Sequence, residues 1–86
     1  NKTAEDIMDC FIKTIYSDGF KVEYQDIEGT TKGYCDFKEN KIVLRKGLGS
    51  LIQLKVLLHE YGHALAHKKL ESNYKEYKEN LLFHHQ

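Results

Sequence analysis

The triplet Gly47-Leu48-Gly49 divides the chain into two kinds of sequence. Before it, short apolar runs alternate with polar residues between turn signals. After it, apolar residues recur at helical spacing as far as about Lys69. The first pattern suits half-buried strands and the second a packed helix. Phe20, Val22 and Tyr24 predict one strand; Tyr34 to Phe37 and Ile42 to Leu44 predict two more. Glu28-Gly29-Thr30-Thr31 reads as a turn, and in Lys38-Glu39-Asn40 the Asn tolerates left-handed backbone. Ahead of the strands, Thr3 and Asp6 have capping-box spacing, with Asp for the usual Glu. Ile7, Phe11, Ile12 and Ile15 follow at helical spacing, and Gly19 stops that helix. Ser50 and Gln53 predict a second capping box opening a helix to Lys69. A separate last helix over Tyr74 to Phe83 would carry Tyr74, Tyr77 and Leu81 on one face. The expectation is an α+β fold: a helix, a small three-stranded and mostly antiparallel sheet, then two helices.

Composition bounds what such a chain can do. Its 86 residues make one domain, 1–86, and leave no room for a second core. Apolar residues are 41% and charged residues 30%, which excludes a disordered chain. No apolar run approaches the ~20 residues that span a bilayer. The opening Asn1-Lys2-Thr3-Ala4-Glu5-Asp6 has no signal-peptide core. Residues 1–43 hold six Lys against nine Asp/Glu, net −3; residues 44–86 hold seven Lys/Arg against four Glu, net +3. That split is too small for a nucleic-acid footprint. Cys10 and Cys35 have no partners at metal-ligand spacing and read first as two free, buried thiols of a cytoplasmic protein, with one disulfide of a secreted protein as the alternative. The absence of an initial Met and the polar-aromatic close Leu81-Leu82-Phe83-His84-His85-Gln86 read as a fragment of a longer chain. A core this thin gains from a bound metal.

The chemistry is concentrated in His59-Glu60-Tyr61-Gly62-His63. Residues four apart stack one turn up a helix face, so both imidazoles reach one ion. Zinc takes neutral imidazole nitrogen and tolerates a tetrahedral site with one position open to water. Glu60 sits beside the ligands without being one, placed as a general base toward a water that the ion acidifies to a pKa of ~7. A helical wheel puts Leu51, Leu54, Leu58, Tyr61 and Leu65 on one face. His59 and His63 fall opposite, beside Ile52, Val56 and Leu70, as in a helix sandwiched in the domain. Gly62 costs ~1 kcal/mol of helix propensity, which predicts close packing there.

The third ligand is open. The longer H-E-x-x-H-x-x-G-x-x-H pattern fails at Ala66 and Lys69. Glu71, Glu76 and Glu79 are available but read first as solvated helix charges, and His84 and His85 as an exposed pair. His67, one turn past His63, reads as a cleft-lining group. Tyr34 or Tyr61 has the chemistry to stabilise an oxyanion, although both fit a packing role better. Lys68-Lys69 reads as a last-turn pair that favours the helix dipole. Tyr74, Tyr77 and Phe83 read as packing residues.

Three strings occur in one order: Gly33-Tyr34-Cys35-Asp36, Glu39-Asn40-Lys41-Ile42-Val43-Leu44, and Leu54 through His67 with the H-E-x-x-H core. Over roughly residues 20 to 70 the chain resembles the ImmA/IrrE-type zinc metallopeptidases, and among them the peptidase-like segment of ArdC- or LtrC-like proteins of plasmids and conjugative elements. The resemblance implies a minimal zincin-like fold, zinc at His59 and His63, and a catalytic Glu60. It also implies a third ligand from an acidic E-x-E-A-[DE] segment on the next helix, which this sequence lacks up to Gln86. The expected activity is zinc-dependent hydrolysis of a protein or peptide substrate by a cytoplasmic domain of a plasmid, phage or conjugative element. Nucleic acid would be contacted only through other parts of a longer protein. The alternative expectation is a catalytically inactive metal-binding regulatory or interaction domain.

Overall fold

The structure, a computed structural model, describes residues 2–84, with side-chain surroundings through residue 80. Its order is α1 (Ala4–Ser17), β1 (Lys21–Gln25), β2 (Gly33–Asp36), β3 (Lys41–Arg45) and α2 (Ser50–His84). The class is α+β, as expected, but with two helices among the described residues.

Local chemistry sets the boundaries. The first capping box forms: the Asp6 amide donates to the Thr3 hydroxyl at 3.2 Å and the Thr3 amide to the Asp6 carboxylate at 3.1 Å. At the other end Gly19 takes φ +91°, with Gly19 N–H donating to the Tyr16 carbonyl and Phe20 N–H to that of Ile15. That is a Schellman stop, open to glycine because it has no Cβ to clash. Asn40 adopts φ +53° in the β2–β3 turn, and Asp36 Oδ1 accepts from the Lys38 and Glu39 amides.

The sheet order is β1-β3-β2. β2 pairs antiparallel with β3, whereas β1 pairs parallel with it. The sheet is therefore mixed, not mostly antiparallel, because residues 26–32 carry the chain past β3 before it turns back. Arg45 secures that crossing, donating from Nε to the Thr31 carbonyl at 2.8 Å and from Nη2 to that of Gly29 at 2.6 Å. The central strand is the one with a continuous apolar run, Ile42-Val43-Leu44, all three fully buried. Ile42 and Leu44 face the core with Met8, Ile15, Phe20, Leu57 and Ala64. Both helices lie on that face, α1 packed against β1 and α2 against β2 and β3.

α2 departs from expectation in three ways. No Ser50 capping box forms: the Gly49 carbonyl accepts the first helical bond from Gln53, whose side-chain amide donates to the Leu48 carbonyl, and the Ser50 hydroxyl reaches Glu5. The helix does not end near Lys69, and the separate last helix does not exist. Glu71-Ser72-Asn73 contains neither Pro nor Gly, so nothing interrupts the backbone ladder. Nor is α2 sandwiched. Its inward stripe is Leu54, Leu57, Glu60, Tyr61 and Ala64, while Leu51, Leu58 and Leu65 are 68%, 40% and 41% exposed. Tyr74 and Tyr77 are likewise exposed and do not pack. Phe83 and Leu81 lie outside the residues with described side chains.

Candidate metal centre

β2 is an edge strand, and α2 crosses beside it. Their approach depends on Gly33, where a Cβ would come within 2.7 Å of Val56 Cγ1 and 2.9 Å of the Val43 carbonyl. Two residues on, and so on the same face of the pleat, the Cys35 thiol donates to the Glu60 carbonyl at 3.0 Å. Burial and the nearby Glu60 charge push that thiol up to about 11. Sequence reasoning overlooked both contacts; the period-2 alternation from Gly33 to Cys35 was the available signal. Cys10, expected to be buried, is exposed, and both cysteines are free.

On the cleft side of α2, His59 and His63 point one donor nitrogen each at a common place. Their Nε2 atoms are 3.1 Å apart, with the rings edge-to-face. Two nitrogens held at ~2.05 Å by a tetrahedral zinc would stand about 3.3 Å apart, so the spacing fits one ion. A Glu60 carboxylate oxygen and one ring nitrogen of each histidine all lie within 4.8 Å of one another. Glu60 is buried while the two imidazoles are exposed. The carboxylate thus comes from the wall of the cleft and the donors from its mouth.

Among the described residues no further His, Cys, Asp or Glu joins this group. Continuity of α2 explains the glutamates. Glu71, Glu76 and Glu79 follow His63 by eight, 13 and 16 residues on the same helix, which puts them about 12, 20 and 24 Å along the axis. The His84 side chain and residue 85 lie outside the described residues. His67 lines the cleft as expected, stacked on Phe37 with centroids 4.0 Å apart.

The remaining expectations resolve by geometry. The Tyr61 hydroxyl donates to the Asp18 carboxylate in a short bond that raises the phenol to about 12. The Tyr34 hydroxyl reaches Gln25 at 3.4 Å. Each hydroxyl is thus engaged with a partner other than the His pair. Lys68 is not in a last turn; it serves the other helix, donating to the Asp18 carbonyl at the end of α1 at 2.9 Å, where a cation meets the negative end of the dipole. Beyond its own helix backbone and chain neighbours, Gly62 has no atom within 4 Å of where its Cβ would stand, so no other element packs closely there. No helix among the described residues is long and apolar enough to cross a membrane. The chain matches no family model, no curated protein and no solved structure.

Proposed function

We propose that this chain is a zinc-dependent metallopeptidase domain acting on a protein or peptide substrate in the cytoplasm, in keeping with its resemblance to ImmA/IrrE-type domains of mobile elements. The observation that carries the reading is the convergence of His59, His63 and a buried Glu60 on one point of a cleft beside a sheet edge. His59 and His63 would hold the metal through Nε2. When bound, such an ion would supply Lewis acidity toward the peptide carbonyl and toward water. Glu60 accepts the proton of the attacking water and returns it to the leaving amine. The outer edge of β2 has unpaired backbone groups that can receive an extended peptide.

The test separates metal binding from chemistry. Glu60→Gln is expected to keep stoichiometric zinc, measured by elemental analysis, and to lower cleavage of an unfolded protein by roughly 10²-fold or more. His59→Ala and His63→Ala are expected to lose the metal. Undiminished cleavage by Glu60→Gln overturns the assignment. One observation favours a second reading, a non-catalytic metal-binding interaction domain: the group has two imidazoles and no third ligand besides Glu60 among the described residues. Stoichiometric zinc without any cleavage would select it.

A further inference from the structure

The cleft differs in chemistry from end to end. β2 and the His59–His63 turn run side by side, and the space between them opens into two cavities that share Gly33 and Glu60. The cavity toward the C-terminal ends of both elements, about 390 Å³, is bounded by Phe37, Ala66 and Leu70 beside His63. Its Phe37 ring is fixed by stacking on His67, and its Leu70 is 67% exposed. The cavity toward the N-terminal ends, about 320 Å³, is bounded by Lys32, Lys55, Thr30 and Val56 beside His59. Among the described residues neither lysine is ion-paired; the lysine pairs lie elsewhere, Lys41 with Glu23 and Lys75 with Glu71. One end therefore offers apolar surface and the other two exposed lysines outside any ion pair, with the two imidazoles between them.

We propose that the cleft selects a peptide with an apolar side chain on one side of the scissile bond and an acidic side chain on the other. This inference rests on the peptidase reading and adds the substrate's polarity to it. The spacing follows from the elements. Val56 and Ala66, one in each cavity, are ten residues apart on α2, about 15 Å at 1.5 Å per residue. An extended chain covers that distance in about four residues, an even number that returns both side chains to one face. The direction follows from pairing. Antiparallel ladders are the more stable kind, and a peptide running against β2 meets the Phe37–Leu70 end first. The apolar residue therefore precedes the bond, and the acidic residue follows four positions later.

The zinc-loaded Glu60→Gln chain reads this through binding alone. The probe is a fluorescein-labelled octapeptide of Ala and Ser with Leu at position 2 and Glu at position 6, followed by fluorescence anisotropy. Its affinity is expected to exceed that of the Leu/Lys peptide by tenfold or more at low salt, with the gap narrowing in 0.5 M salt as exposed charges are screened. Leu→Ser in the probe is expected to weaken it severalfold. Lys32→Glu together with Lys55→Glu is expected to invert the Glu-over-Lys preference, with circular dichroism verifying that the variant is folded. Equal affinity for the Glu and Lys peptides overturns the proposal, and so does equal or tighter binding of the reversed sequence. The active zinc-loaded chain distinguishes the two levels. Indiscriminate cleavage of unfolded protein and of all the octapeptides leaves the peptidase reading standing and removes this one. Selective binding with no cleavage anywhere removes the peptidase reading and retains the cleft assignment.

Discussion

A single sulfur joins the sheet edge to the helix that bears the His pair. Cys35 Sγ donates to the carbonyl of Glu60, in the turn between His59 and His63, and half-burial together with the Glu60 charge raises its pKa to about 11. Linkage fixes the sign of the consequence. An unfolded cysteine ionises near 8.5, so between about pH 8.5 and 11 the unfolded chain binds fewer protons than the folded one, and stability falls as pH rises. The thiol is partly exposed, so solvent screening makes the effect modest. The urea midpoint is expected to decline from pH 8.5 to 10.5, and Cys35→Ala to lessen the slope at the cost of a lower midpoint at pH 7. A slope unaltered by the substitution would show that other groups set the alkaline limit. In alkylation at pH 8 followed by mass spectrometry, exposed Cys10 is expected to label well before Cys35.

Among the elements, α2 shows why some of the fold was legible in the sequence and some was not. Strand positions near β1, β2 and β3, the Thr3–Asp6 box, the Gly19 stop and the left-handed Asn40 all rest on local chemistry, and the structure reproduces each. Pairing is not local. The alternation in Phe20, Val22 and Tyr24 is the same for a parallel as for an antiparallel neighbour, so the mixed order β1-β3-β2 could not be read from it. The unbroken Ile42-Val43-Leu44 run was the clue to the central strand. The H-E-x-x-H spacing placed the two imidazoles together from helix geometry alone, whereas the helix face was misjudged by weighting leucines. Leu51, Leu58 and Leu65 repeat every seven residues, yet the sheet is approached by Leu57 and Ala64, both fully buried. Leu57→Ala is therefore expected to cost about 2–5 kcal/mol, and the adjacent Leu58→Ala no more than about 1 kcal/mol. Equilibrium urea unfolding measures both. Equal costs would return the leucine stripe to the core.

At the scale of the molecule, α2 is out of proportion to the rest. The Cα radius of gyration is 16.4 Å and the extents are 56 × 34 × 16 Å, whereas a compact chain of this length would have a radius near ~12 Å. The excess is the far part of α2, where every residue from Leu65 to Asn80 is exposed. The i,i+4 contacts of Glu71 with His67 and Lys75 are exposed pairs that contribute little. A free helix of this length is marginal in water, so hydrogen exchange measured by mass spectrometry is expected to show protection around Leu57 to Ala64 and its progressive loss beyond Leu70. Removing residues 73–86 is then expected to leave the urea midpoint and zinc binding nearly unchanged, because the core stripe ends at Ala64 and the Phe37–His67 stack lies before the cut. A large fall in the midpoint on truncation would mean that the far part of α2 folds back onto the domain. It would also reopen Glu76 and Glu79 as ligands, since only a break in α2 can bring them to the His pair.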